Sequence, residues 1–227
     1  MKYLIPMLVL FSSMSASLVH GQVTPDDFFD RAFERQRAGD LKGAIEDYTK
    51  AIELHPKDAE AYNNRGNVRK NMGDLKGAIQ DFSAAISIDP KFAAPYTNRG
   101  NARKLQGDPD GAIADHGLAI ERDPNGTSGY YNRGSVLSEK GDHRAAISDF
   151  SRVIALNPKH ARALFNRGRA RLSLGDFAGA VEDLTSAAAF DPKTAEIYRS
   201  RAAAYRGLKQ PAMAEADDMR AKVLEKK

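Results

Sequence analysis

Apolar residues recur at helical spacing along most of the chain. In residues 75–86 they are three and four positions apart, which predicts an amphipathic helix with one buried face. The preceding stretch, 60–72, consists of good helix formers and ends at Gly73, a residue suited to the left-handed position after a helix. Asp74 is then the expected N-cap of the second helix, and Pro90 prevents its continuation. The pattern therefore predicts a helix–turn–helix unit.

This unit recurs every 34 residues without insertions. A Pro, a Gly-Asp pair and a small Ala each repeat at that spacing, beginning at Pro56, Gly39-Asp40 and Ala44. Such a period indicates stacked helix pairs rather than a globular core. Six units are predicted: 25–58, 59–92, 93–126, 127–160, 161–194 and 195–227.

The sixth unit differs from the others in its second helix. Glu215, Asp218 and Lys222 occupy positions that are apolar in unit two. A terminal helix without a neighbour is expected to be polar there, so residues 211–225 are predicted to cap the stack.

The N-terminus has the features of a secretory signal peptide. Lys2 precedes an apolar run from Leu4 to Phe11, and small residues lead to a cleavage point near Gly21. The run is shorter than the roughly 20 residues that a membrane-spanning helix needs, and no later segment is long enough. Residues 1–21 are therefore predicted to be removed on export, leaving a chain without a membrane span in the periplasm or outside the cell.

Composition narrows the function classes. The 227 residues include no Cys, which excludes disulfides, thiolate metal sites and a Cys nucleophile. The net charge of +4 is spread among interspersed acids and bases, which argues against a nucleic-acid partner. No phosphate-binding loop, nucleophile elbow or zinc-binding His pair is present, and His116 takes an aromatic core position. We predict no catalytic residues, no metal and no cofactor.

These features together resemble the tetratricopeptide repeat (TPR) family. The match includes the 34-residue period, an early aromatic such as Tyr62, Gly66 four residues later, and the Gly-Asp pair, small Ala and terminal Pro of each unit. It covers about residues 25–227. The resemblance implies an all-α, right-handed α-solenoid of helix–turn–helix TPR units with a 34-residue period. It also implies a protein or peptide partner, because TPR proteins mostly bind other proteins.

One departure from the family recurs in every unit. In each unit an Arg stands directly before the small residue of the first helix, as Arg65 does before Gly66, where the family usually has a large apolar residue. An Asp follows sixteen positions after that Arg. The planar Arg fork suits paired carboxylates, so we expect a structural ladder of Arg–Asp pairs. The alternative is a row of Arg exposed to anionic ligands. The pairs begin with Arg31 and Asp47 and end with Arg201 and Asp217.

The TPR resemblance places the candidate binding residues on the first helix of each unit, facing an inner groove. Asn recurs there, and an Asn amide can both donate to and accept from a peptide backbone. This is similar to the asparagine ladder with which some TPR superhelices hold extended peptide. The alternative is that these amides bond only within the stack. The predicted groove residues are Asn64, Asn67, Lys70, Asn98, Asn101, Lys104, Tyr131, Asn132, Arg162, Phe165, Asn166 and Arg169.

The charge of the groove residues and a partly matched family motif indicate which kind of ligand to expect. The predicted groove has more Lys and Arg than Asp and Glu, which favours an acidic or C-terminal segment. Asn101, Asn132 and Arg162 match the family's clamp for a terminal carboxylate, whereas Thr97 and Asn166 depart from it. Tyr131 and Phe165 are candidates for apolar pockets.

The sequence thus predicts an exported, non-catalytic scaffold or adaptor that binds an extended peptide or protein segment in its concave groove. The alternative is a self-associating structural or tethering component of an envelope complex, with no groove ligand. Homo-oligomerisation stays open under both hypotheses.

Overall fold

A computed structural model describes residues 23–226, which form twelve α-helices and no strand. The predicted signal peptide, residues 1–21, lies outside the described residues. The helices form six consecutive pairs, and the all-α solenoid fold class is confirmed. Their bounds are α1 Pro25–Arg37, α2 Leu41–Leu54, α3 Ala59–Asn71, α4 Leu75–Ile88, α5 Ala93–Gln106, α6 Pro109–Arg122, α7 Thr127–Glu139, α8 His143–Leu156, α9 Ala161–Ser173, α10 Phe177–Phe190, α11 Ala195–Gly207 and α12 Pro211–Glu225.

The turn within each pair is built as the sequence predicts. Gly73 has φ +85°, a conformation that favours Gly because it has no Cβ, and the carboxylate of Asp74 accepts a hydrogen bond from the Gly77 N–H at 2.9 Å. The same turn follows α1, α5, α7 and α9. The last turn is different, because Lys209 takes the left-handed conformation and Gln210 makes no side-chain cap.

The two helices of a pair lie in different layers. Each first helix packs on its own second helix and on the second helix of the preceding pair. Successive first helices from α3 to α11 also contact one another, whereas the second helices make no comparable contacts among themselves in the described range. The first helices are therefore the closer-spaced layer, which is the inner side of a curved solenoid.

A small residue on each first helix lets the two helices of a pair approach closely. A Cβ added to Gly66 would lie 2.7 Å from the Phe82 ring, and one added to Gly100 would lie 2.7 Å from the His116 ring. His116 is fully buried at the position that Phe82 holds in unit two, as the sequence predicts. Close helix contact therefore depends on Gly at these positions.

The predicted Arg–Asp ladder is confirmed in all six units. In unit three, Arg99 donates from Nε to Asp115 Oδ2 at 3.0 Å and from Nη2 to Asp115 Oδ1 at 2.7 Å. This bidentate geometry joins the first helix to the second within one pair. Each Asp carboxylate is buried, and hydrogen bonding by Arg31 lowers the pKa of Asp47. The pairs are Arg31–Asp47, Arg65–Asp81, Arg99–Asp115, Arg133–Asp149, Arg167–Asp183 and Arg201–Asp217.

The ladder Arg also joins neighbouring units. Arg99 Nη1 donates to Ser83 Oγ of the preceding pair at 3.1 Å, and the same bond forms from Arg65, Arg167 and Arg201. At the third junction, between units three and four, the equivalent position is Gly117, which offers no hydroxyl to Arg133.

A second Arg, which the sequence analysis missed, strengthens four of the pairs. It lies one helical turn after the ladder Arg, as in Arg103, whose Nη1 is 2.9 Å from Asp115 Oδ2. Arg35, Arg69 and Arg171 do the same in units one, two and five. Unit four has Leu137 at this position, so within residues 23–226 only Arg133 pairs with Asp149.

The first prediction tests this difference. Arg133→Met leaves the buried Asp149 carboxylate without a cation and is expected to lower the free energy of unfolding by about 3 kcal/mol. The matched control is Arg69→Met, where Asp81 keeps its bidentate bond to Arg65 and the loss should be below about 1 kcal/mol. Chemical denaturation followed by circular dichroism measures both, and equal losses would contradict the ladder's role.

The second prediction concerns the missing hydroxyl at Gly117. A Cβ built there would lie 3.6 Å from Arg133 Nη1, an ordinary contact distance, so Gly117→Ser should restore the bond seen at the other junctions. Gly117→Ala is the control, because Ala is the better helix former but cannot accept this bond. The Ser variant should exceed the Ala variant in stability by about 0.5 kcal/mol or more. An Ala variant that is the more stable would contradict the prediction.

The third prediction uses His116, whose two ring nitrogens are buried without a hydrogen-bond partner in the described structure. Burial lowers its pKa from 6.5 to about 4, so the folded protein holds it neutral. The unfolded chain binds the extra proton between these values, so stability should fall as the pH drops from about 6.5 to about 4.

His116→Phe should remove this pH dependence and raise stability at neutral pH, because Phe82 and Phe150 fill the same position in other units. Denaturation at a series of pH values tests it, with His55→Phe at an exposed turn as the control. An unchanged slope in the His116 variant would show that another group titrates.

Candidate functional site

The twelve predicted groove residues all lie on first helices, and none is buried. They are placed on α3, α5, α7 and α9, with partly or fully exposed side chains. These helices form the closer-spaced layer of the stack. On α3 they are Asn64, Asn67 and Lys70, on α5 Asn98, Asn101 and Lys104, on α7 Tyr131 and Asn132, and on α9 Arg162, Phe165, Asn166 and Arg169.

Two adjoining cavities open on this layer around α7 and α9. The larger measures about 460 Å³ and the smaller about 330 Å³, and Tyr131 and Asn166 line both. We call the larger one the polar cavity, after Ser135 and Ser138, and the smaller one the apolar cavity, after Phe165 and Ile197, although polar and apolar side chains line both. Seven of the twelve predicted residues line one or both: Lys104, Tyr131, Asn132, Arg162, Phe165, Asn166 and Arg169. The five on α3 and the first turns of α5 line neither.

Part of the amide capacity is used inside the stack. Asn98 Nδ2 donates to Asn63 Oδ1 at 2.9 Å, and Asn166 Nδ2 donates to the Tyr131 hydroxyl at 3.2 Å. Asn64 accepts a longer bond of 3.4 Å from Asn63. An Asn amide has two donor hydrogens and two acceptor lone pairs, so Asn98 and Asn166 keep capacity toward the groove. Asn132 makes no side-chain hydrogen bond to any described residue.

The cations of the groove differ in whether they are paired. Lys104 Nζ lies 2.6 Å from Glu139 Oε1 on the next first helix. Arg162 and Arg169 have no acidic partner in residues 23–226, although Arg169 lies over the Phe165 ring at 5.6 Å. Lys70 is also without an acidic partner there, and burial lowers its pKa. The α9 end of the groove therefore presents unpaired positive charge beside the two cavities.

The sequence analysis missed several cavity residues because they are not members of a repeated motif. Ser135, Ser138 and Ser173 line the polar cavity together with His143, and Ile197 lines the apolar one. The available signal was a departure from the repeat: Ser135 stands where α3 and α5 have Asn67 and Asn101. The smaller side chains of unit four indicate where the polar cavity lies.

Over positions 23–226 no cluster of three or more His, Asp or Glu has the geometry to hold a metal ion. None of the helices in that range combines the length and the apolar character needed to cross a membrane.

Solved structures with this architecture are numerous. The crystal structure of MamA matches with a TM-score of 0.69 at 26% identity, covering 74% of this chain and 92% of that one. YrrB, described as a TPR protein with an unusual peptide-binding site, matches with a TM-score of 0.69 at 22% identity, over 78% and 91% of the two chains. PilW, described as a widely conserved type IV pilus biogenesis factor, matches with a TM-score of 0.75 at 19% identity, over 89% and 93%.

Sequence comparison adds the family. No curated protein matches the chain significantly. Three family models do match it: two described as "Tetratricopeptide repeat", over residues 131–195 and 59–92, and one described as "TPR repeat", over residues 37–73. Together with the six helix pairs and the structural likeness to known TPR proteins, these matches show the family. The chain belongs to the tetratricopeptide repeat family.

Proposed function

We propose that the protein is a non-catalytic scaffold that binds an extended segment of a partner protein along the groove formed by α3, α5, α7 and α9. The observation that carries this proposal is the pair of adjoining cavities that share Tyr131 and Asn166. Neighbouring cavities on one face suit successive side chains of a single extended chain.

The polar groups of the groove support a peptide ligand. Asn132 and the free capacity of Asn98 and Asn166 offer both donors and acceptors, which a peptide backbone can pair without regard to its sequence. Arg162, Arg169 and Lys70 contribute positive charge that acids of this chain do not neutralise in the described structure. The expected partner segment is therefore acidic in character.

We further propose that the protein acts after export, in the periplasm or outside the cell. The signal-peptide pattern in residues 1–21 supports this, and the structural likeness to PilW is compatible with it. In this proposal residues 25–227 form the functional solenoid, and α12 closes its C-terminal end.

A second candidate function, self-association or tethering, has one observation in its favour. The outer surface of α12 leaves Met213, Met219 and Val223 about half exposed, although Glu215 and Lys222 are exposed as expected of a capping helix. A partly apolar terminal helix can serve as a contact surface for another copy.

Site-specific photo-crosslinking separates the two functions. A photoreactive amino acid at Asn132 in the groove is expected to capture a partner protein, and mass spectrometry should place the link in an extended acidic segment. Capture should fall when Arg162 and Arg169 are both changed to Ala. The control position is Glu182, exposed on the outer helix α10.

The same reagent at Met219 tests the second function. Crosslinks between two copies through Met219, with none from Asn132, would favour self-association. Capture of the same proteins from Asn132 and Glu182 in equal amounts would contradict groove binding.

A further inference from the structure

Unit four departs from its neighbours on the groove face of its first helix. At the ninth and twelfth positions of the unit, α3 has Asn67 and Lys70 and α5 has Asn101 and Lys104. The same positions of α7 are Ser135 and Ser138, which are smaller. Both serines line the polar cavity of about 460 Å³, so the space exists because α7 lacks the longer side chains.

The wall of the polar cavity favours an anionic group. Lys104 and Glu139 neutralise each other across 2.6 Å, which leaves the Arg169 guanidinium as the uncompensated charge at this wall among the described residues. Asn132 adds an amide with no bond to the described protein, and Ser138 adds a hydroxyl. A carboxylate would receive hydrogen bonds from Asn132 and Ser138 and a charge-assisted bond from Arg169.

The apolar cavity has a different wall. Tyr131, Phe165 and Ile197 contribute ring and aliphatic surface, together with Ala161. Arg162, Asn166, Asp191 and Thr194 lie at the same cavity and provide polar atoms beside that surface. A volume of about 330 Å³ lined in this way suits one large apolar side chain, because its burial releases water from both surfaces.

The shared residues set the spacing between the two ligand side chains. Tyr131 and Asn166 line both cavities and therefore form the partition between them. In an extended segment, alternate side chains point to one face and are about 7 Å apart. The residue between them presents its backbone to the partition, where Asn166 retains hydrogen-bonding capacity.

We propose that the groove recognises a two-residue code, an acidic side chain in the polar cavity and a large apolar side chain in the apolar cavity, two positions apart in an extended protein segment. This inference rests on the proposed function and specifies its ligand. The carboxylate belongs to an Asp or Glu side chain rather than to the end of a chain. Unit four provides the specificity for the acidic side chain and unit five most of the apolar cavity, while the Asn residues of the other units contact backbone.

The test selects peptides from a randomised library on the immobilised protein. The peptides are acetylated and amidated, so that every carboxylate belongs to a side chain, and a second library keeps its free C-terminus. Peptides enriched by the unaltered protein should carry Asp or Glu two positions from a large apolar residue. Synthetic peptides with that pair exchanged for Ala should bind at least tenfold more weakly.

A filled-cavity variant supplies the decisive comparison. Ser135→Asn with Ser138→Gln introduces residues that the chain itself uses at these positions, Asn67 and Gln36, so the stack should tolerate them without added charge. This variant should lose the acidic preference and bind the selected peptides at least tenfold more weakly. The matched control, Ser135→Ala, leaves the cavity open and the Ser138 hydroxyl in place, and it should stay within about threefold. Thermal unfolding checks that all forms are folded.

The outcomes separate the two proposals. If neither library is enriched by any form of the protein, groove binding and the code are both wrong. If peptides are enriched but the filled-cavity variant selects the same acidic residues, the groove binds peptide and the code is wrong. Enrichment confined to the library with free C-termini assigns the site to a terminal carboxylate and also overturns the code.

Discussion

The bidentate bond between an Arg of the first helix and a buried Asp of the second is the interaction on which the stack depends. It fixes how the two helices of a pair lie against each other, and the third nitrogen of the same guanidinium reaches a hydroxyl of the preceding pair at four of the five junctions. A buried carboxylate is costly unless it is paired, so an alternative register that separated the partners would be strongly disfavoured. Register in turn decides which side chains of the first helices reach the groove.

Unit four has the fewest bonds of this network, and the polar cavity also lies there. Asp149 lacks the second Arg because Leu137 stands in its place, and Arg133 lacks a hydroxyl partner because Gly117 stands below it. The first helix of this unit, α7, carries Ser135 and Ser138, whose small side chains make room for the polar cavity. Departures from a locally consistent pattern are expected at functional sites, where space or charge for a ligand takes precedence over stability. The proposed specificity of unit four agrees with that expectation.

The sequence predicted the features that recur in every unit and missed those that do not. The helix pairs, the Asp caps and the Arg–Asp ladder follow from strict 34-residue recurrence, and each is present in the structure. The second Arg row is interrupted at Leu137 and Tyr205, so recurrence did not reveal it. The polar cavity depends on side-chain volumes from four helices at once, and the bond from Asn98 to Asn63 depends on two helices that the sequence could not orient.

Under the proposed function, the C-terminal helix influences where along the groove a ligand is held. Arg199 of α11 is ion-paired with Glu225 of α12, and Arg206 of α11 is ion-paired with Asp218 of α12. The helix α11 therefore presents little uncompensated charge to the groove. One helix earlier, on α9, Arg162 and Arg169 are free of such partners in the described structure, whereas Arg167 and Arg171 pair with Asp183. An acidic segment is therefore attracted most strongly to the region between α7 and α9, because long-range charge guides its approach and close pairing holds it. Pairing by α12 thus leaves Arg162 and Arg169 as the uncompensated cations at the C-terminal end of the described groove.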